Sequence, residues 1–227
     1  DMSSTVKSNI ETIEGRIGAA AGRAGRTPED ISLVVVTKSR TVEEIQAVID
    51  AGAKYIGENR VREAEDKRPL LKGDFTFRMI GHLQRNKAAD AVKLFDAIDS
   101  VDSIRLAVKL SEELEKCGKT MPVLIEVNSS GEQSKSGFEP EELEKSLEEF
   151  FSLGALMPKG LMTIGPLTDD AEEIRAAFRS TRVLFEKIKK GRDDFEILSM
   201  GMSDDFEIAI EEGSNMVRIG RAVFERR

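Results

Sequence analysis

Ile31-Ser32-Leu33-Val34-Val35-Val36, running directly into Thr37-Lys38, is the stretch on which the fold turns. The run is short, β-branched and apolar on both faces, as suits a strand buried in a parallel sheet. Upstream, Ser3, Ser4 and Thr5 are candidate helix caps. Val6, Ile10, Ile13 and Ile17 then recur at helical spacing and make one apolar stripe. Gly22 to Pro28 reads as a loop. Downstream, Thr41-Val42-Glu43-Glu44 has the form of a capping box, and Val42, Ile45, Val48 and Ile49 continue a helical stripe. Gly52 stands where that helix should stop, and Tyr55-Ile56 is the next short strand.

The alternation continues to the end of the chain. Strand signals begin near residues 31, 54, 75, 95, 122, 159, 195 and 215. Between them lie amphipathic helices, one carrying Leu106, Leu110 and Leu114, another Ile174, Phe178, Thr181 and Leu184-Phe185. Pro140 occupies a first-turn position, and Gly191 and Gly213 look like helix-ending glycines. Strict β/α alternation implies a parallel sheet, and eight units imply an α/β fold closed as a single (β/α)8 TIM barrel with an extra N-terminal helix. An open doubly wound sheet is the alternative. No Pro/Ser-rich linker or long charge block divides the chain, so residues 1–227 are expected to form one domain. Residues 128–138 are the most loop-like stretch, a candidate mobile loop over a site.

Composition narrows the function classes. The 227 residues are 40% hydrophobic and 33% charged, enough for a soluble protein with a full core. Lys and Arg number 34 against 42 Asp and Glu, so the net charge is −8, which argues against nucleic-acid or anionic-membrane binding. One Cys (Cys117) and one His (His82) exclude an internal disulfide framework and a structural Cys/His zinc site. No metal is expected, and the cysteine usage fits a reducing, cytoplasmic compartment. No apolar run approaches a membrane span, and the first residues show no secretion signal.

A barrel places its active site at the C-terminal ends of its strands. At those ends stand Thr37-Lys38, Gly57-Glu58-Asn59, Gly81-His82, Ser100 with Asp102, Asn128, Thr163, Ser199-Met200-Gly201-Met202-Ser203 and Arg218-Ile219-Gly220. Lys38 is the sharpest of these. Packed at a strand end, its amine can act as a nucleophile toward an aldehyde. Equally, it can be a lysine that caps a buried strand with its ammonium in solvent. Ser199 to Ser203 precedes a helical stripe, where free N–H groups favour an anion, and Arg218 adds a fixed cation. The plainer alternative makes Ser203 a helix cap and pairs Arg218 with Asp204 or Glu212. His82 reads as a structural hydrogen-bonding group, and Cys117 as inert.

The clusters also carry a resemblance. Val36-Thr37-Lys38, Gly57-Glu58-Asn59, Ile80-Gly81-His82-Leu83-Gln84, Asn86-Lys87, Ser100-Val101-Asp102, Lys135-Ser136-Gly137-Phe138, Gly160-Leu161-Met162, Ser199 to Ser203 and Val217-Arg218-Ile219-Gly220 occur in order. With them the chain, from about residue 5 to 224, resembles the pyridoxal phosphate homeostasis proteins, a family also described as alanine racemase N-terminal domain-like. The resemblance implies a single barrel that binds pyridoxal 5′-phosphate (PLP) as a Schiff base on Lys38. It implies that Arg218 faces the pyridine nitrogen, and that Asn59 lies beside the ring. It implies that Ser199, Gly201, Ser203, Gly220 and the Arg221 backbone lie near the phosphate. His82, Asn128 and Thr163 are further rim candidates. The implied role is PLP and vitamin B6 homeostasis without robust catalysis. The partners would be PLP and apo PLP-dependent enzymes that receive it, and a monomer is expected. Departures from the family pattern are Phe77-Arg78-Met79, Arg60, Arg85, Asn215 and Phe224-Glu225, none at a proposed cofactor contact.

Three other functions compete. A slow PLP-dependent amino-acid racemase would share Lys38. However, a permanent arginine cation at the pyridine nitrogen weakens the cofactor as an electron sink. A racemase also needs a second acid/base group, which in alanine racemases comes from an added domain and a neighbouring subunit; the chain stops just after its eighth strand. A class-I-aldolase-like barrel would bind a sugar phosphate carbonyl at Lys38. A pure interaction module would bind no small molecule.

Overall fold

The structure is a computed structural model that describes residues 1–133 and 135–225. Ser134, within the 128–138 loop, and the last two residues of the expected 1–227 domain lie outside the described residues. Eight parallel strands close on themselves in sequence order. They are β1 (Ser32–Val36), β2 (Tyr55–Glu58), β3 (Thr76–Met79), β4 (Ala97–Val101), β5 (Met121–Val127), β6 (Leu156–Thr163), β7 (Ile197–Ser199) and β8 (Met216–Ile219). The helices are α1 (Met2–Arg23), α2 (Val42–Asp50), α3 (Val61–Lys67), α4 (Ala88–Leu94), α5 (Ile104–Lys116), α6 (Pro140–Ser152), α7 (Ala171–Lys189), α8 (Phe206–Glu211) and α9 (Arg221–Phe224). The closed ring removes the open-sheet alternative, because β1 pairs with both β2 and β8.

Local chemistry explains most boundaries. At α2 the capping box forms: Glu44 N–H donates to Thr41 Oγ1 at 3.2 Å, and Thr41 N–H donates to Glu44 Oε2 at 2.8 Å. At α1 the cap is Asp1, whose carboxylate accepts the Ser4 N–H at 2.8 Å, and not the expected Ser3, Ser4 or Thr5. A carboxylate at the first residue takes the free N–H groups that a later hydroxyl would have taken. Strand β6 begins three residues ahead of its signal near 159. Pro158 lies where the β5–β6 register shifts, and that proline and Lys159 mask the strand pattern. The α1 stripe packs on the barrel beside α8 and α9, held by Asn9 Nδ2 donating to the Val223 and Glu225 carbonyls at 3.0 and 2.8 Å.

The pleat sorts each strand into two faces. Outward residues such as Val35, Ile56, Phe77, Ile125, Leu161 and Val217 join the large core between barrel and helices. Inside, Val34, Leu124, Met162 and Met216 form a separate apolar plug. Two residues further along the same inward faces, the barrel turns polar: Glu126 comes after Leu124, and Arg218 after Met216. Arg78, Asp99 and Ser199 join this tier, all of them buried. The plug closes the bottom of the barrel and the polar tier is the floor of its mouth.

Candidate functional site

Lys38 sits in the turn directly after β1, its side chain exposed. It continues the inward alternation of Val34 and Val36, which aims it at the barrel mouth. Its two neighbours are pinned from behind. Thr37 is fully buried, and its Oγ1 donates to Glu58 Oε1 at 2.9 Å. Ser39 holds φ 61°, a left-handed conformation uncommon outside glycine, and its N–H donates to Glu63 Oε2 at 2.9 Å. Lys67 ties the set together, with Nζ 3.1 Å from the Thr37 carbonyl, 3.3 Å from Glu58 Oε2 and 3.0 Å from Glu63 Oε2. Burial pushes the Glu58 carboxyl above the usual carboxylate range, while Lys67 and Thr37 oppose that. The free amine thus projects from a rigid base.

On the strand next to β1, Arg218 of β8 is buried and makes no ion pair among the described residues. Its guanidinium donates to Ser199 Oγ at 2.7 Å and to the Thr163 carbonyl at 2.9 Å. These use two of the donors in its fork and leave others for a ligand acceptor. Burial pulls its pKa down, and Asp99, Glu126 and Asp205 hold it up at longer range. Arg78 pairs with Asp99 through two bonds, at 2.8 and 2.9 Å. Neither Asp204 nor Glu212 pairs with Arg218; Glu212 binds Arg175 and Arg179 instead.

The turns after β7 and β8 each carry a glycine at a point where a side chain has little room. Gly201 has φ 106°, and a Cβ there would lie 2.8 Å from Phe206 Cα. Gly220 heads α9, with room for a Cβ limited by Val36 at 3.3 Å. Arg221 comes next, exposed. Ser203 lies in the turn before α8 rather than at its cap, which is Asp205. The Asp205 carboxylate accepts the Met202 N–H at 2.7 Å, shaping the turn and occupying one amide.

The remaining rim candidates separate by their partners. His82 is exposed, with Nδ1 3.1 Å from Asp102 Oδ2. Asn128 is buried and satisfied inside its own loop, donating to the Glu132 carbonyl at 2.8 Å and accepting from Ser130 N–H at 3.2 Å. Thr163 is fully buried, its Oγ1 donating to the Val127 carbonyl at 2.7 Å, and it reaches the site through its carbonyl on Arg218. Asn59 behaves differently: its Oδ1 is buried with no hydrogen-bond partner among the described residues, as is Ser100 Oγ. Asn59, Gly81, His82, Glu126, Asn128 and Lys135 line one cavity of about 220 Å³ at the mouth, whose lining does not extend to Lys38, Arg218 or the two glycine turns. Gly81 is tied to this spot, because a Cβ there would fall 2.2 Å from the Asn59 carbonyl oxygen.

Sequence reasoning missed Arg78, Asp99, Glu126 and Lys67. The signal for the first three was a charge at an inward position of an apolar strand. Lys67 had no comparable signal, since a lysine late on a helix usually serves the helix end.

An orphaned amide oxygen, a buried cation with free donors, a glycine-shaped pair of turns and an exposed amine fit a small phosphorylated aldehyde. The comparisons with known proteins point the same way. Residues 9–226 match the family model for the alanine racemase N-terminal domain. The pyridoxal phosphate homeostasis protein of Vibrio cholerae is 37% identical over 230 residues, covering 98% of this chain and 97% of that protein. Its Escherichia coli K12 counterpart is 37% identical, with 96% and 95% covered. Among solved structures, an unknown protein from Bifidobacterium adolescentis superposes with a TM-score of 0.94 at 37% identity, covering 98% of this chain and 96% of that one. PipY of Synechococcus elongatus PCC7942, solved with PLP bound, superposes with a TM-score of 0.85 at 30% identity, covering 97% and 100%. The chain belongs to the alanine racemase N-terminal domain family, in the group of the pyridoxal phosphate homeostasis proteins.

Proposed function

We propose that this chain binds PLP at the barrel mouth and takes part in intracellular PLP homeostasis, with no robust catalysis of its own. The observation that carries this is the arrangement of Lys38 after β1, Arg218 on the adjacent β8, and the Gly201 and Gly220 turns on one rim. The cofactor, when bound, supplies an aldehyde that combines with an amine. Lys38 provides that amine, on a turn that the Lys67 cluster keeps from moving. Arg218 would hold the ring nitrogen with its remaining N–H groups and would keep its own proton, because a guanidinium stays charged. The N–H groups of the β7–α8 and β8–α9 turns would hold the phosphate, and Asn59 would offer its unpartnered oxygen to the ring.

A protein that holds the cofactor without consuming it can pass it to apo enzymes, and we place this one in the cytoplasm as a monomer. No helix among the described residues is long and apolar enough to cross a membrane. The racemase alternative is separated by chiral chromatography. Purified protein with excess PLP is incubated with L-alanine and L-serine. Tight binding without inversion is expected. Sustained inversion that vanishes in Lys38→Ala would replace the homeostasis role with an enzymatic one.

A further inference from the structure

The inward polar tier holds two cations, Arg78 and Arg218, and two acids, Asp99 and Glu126. Three of these are committed. Arg78 and Asp99 neutralise each other through their paired bonds, and Arg218 is fixed on Ser199 and Thr163. Glu126 is the exception. It is 3% exposed, its carboxyl makes no hydrogen bond among the described residues, and it lines the 220 Å³ cavity beside Asn59 and His82. A buried carboxyl without a partner is costly as an anion. Holding the cofactor through Lys38, Arg218 and the two glycine turns leaves Glu126 unused.

We propose that Glu126 adjusts the charge of the pocket, taking up a proton when a phosphorylated, anionic ligand enters and releasing it when the ligand leaves. This rests on the mouth being the PLP site. Charged groups face Glu126 from several elements: Asp102 from the loop after β4, Arg218 from β8, and, along the cavity wall, His82 from the β3–α4 loop and Lys135 from the loop after β5. Arg218 favours the ionised carboxyl, whereas burial and Asp102 oppose it. The balance pushes its pKa up to about 7, so both forms are populated at neutral pH. An anionic ligand arriving at the mouth adds negative charge near Glu126 and so favours the neutral acid. Binding that takes up a proton strengthens as pH falls, and the ligand is released more readily as pH rises above neutrality.

The test uses pyridoxine 5′-phosphate, which has the ring and phosphate but no aldehyde to react with Lys38. Its binding is measured by calorimetry at pH 7.5 in buffers of different ionisation enthalpy, for wild type and Glu126→Gln. Wild type should take up more protons per site than Glu126→Gln does, by about 0.3 or more. Its affinity should also fall relative to Glu126→Gln between pH 7 and 8.5, by at most about tenfold per pH unit. Equal proton uptake in the two proteins would overturn the proposal while leaving the site intact. Failure of both to bind would overturn the site and the proposal with it. If Glu126→Gln does not fold, the carboxyl ¹³C shift of Glu126 in wild type, titrated with and without the ligand, decides the same question. The titration midpoint should rise on binding, and an unmoved midpoint contradicts the proposal.

Discussion

Replacing Lys67 with methionine isolates the base on which Lys38 stands. The change keeps most of the stem's bulk and removes the charge. Lys67 is 12% exposed and its partner Glu58 is 0% exposed. The substitution therefore leaves a buried carboxylate with only the Thr37 hydroxyl at 2.9 Å. Breaking one side of a buried pair costs about 3–5 kcal/mol, and the surviving hydrogen bond places this case near about 3 kcal/mol. For a chain of this size that is a fall in melting temperature of about 6–12 °C. The cost should depend on pH in a definite direction. Burial already raises the folded-state pKa of Glu58, and losing the Lys67 charge raises it further. A carboxyl raised on folding binds its proton more tightly in the folded state, so stability is lost as pH rises above the unfolded value and levels off above the folded one. Urea melts of both proteins at pH 5.5, 7 and 8.5 should therefore diverge as pH rises. Lys67→Met should also bind PLP more weakly, since Thr37 and Ser39 lose their anchor. A cost below about 1 kcal/mol, or one that is the same at all three pH values, would refute the reasoning.

Three more outcomes are expected from the geometry. Gly201→Ala forces a side chain into a φ of 106° and against Phe206 and Ala209, so it should cost about 1–3 kcal/mol in a urea melt and weaken PLP binding at least tenfold by fluorescence titration. Ser199→Ala removes the 2.7 Å bond to the buried guanidinium, a loss of about 1.5–3 kcal/mol, and should shift the visible absorption of bound PLP because Arg218 is no longer held in place. Lys38→Ala deletes an exposed side chain and should leave the melting temperature of the unliganded protein within about 2 °C of wild type.

The fold was legible because most strands and helices announced themselves locally, the start of β6 excepted. The three valines before Thr37 and the Thr41 capping box need no distant information. The register of alternating units then leaves few topologies. The rim was legible for a similar reason: in a barrel, the residue after each strand is at the mouth. The tier beneath the rim was less accessible. Asn128 lines the cavity at the mouth, but its hydrogen bonds run within its own loop, and Ser199 spends its hydroxyl on Arg218. A polar side chain spends its hydrogen bonds on whatever neighbours the closed fold supplies, and those neighbours lie tens of residues away. The same holds for Arg78 with Asp99, and for Lys67 with Glu58. Each looks like an isolated charge until the strands close and the helices pack. Asp1 displaced the serine caps of α1 for a local reason, a stronger acceptor placed earlier.

The most direct test of the central claim is to add PLP to the purified protein, reduce with borohydride and locate the adduct by peptide mass spectrometry. One pyridoxyl group per chain is expected, on Lys38, and none in Lys38→Ala. An adduct on another lysine, or undiminished labelling of Lys38→Ala, would contradict the claim.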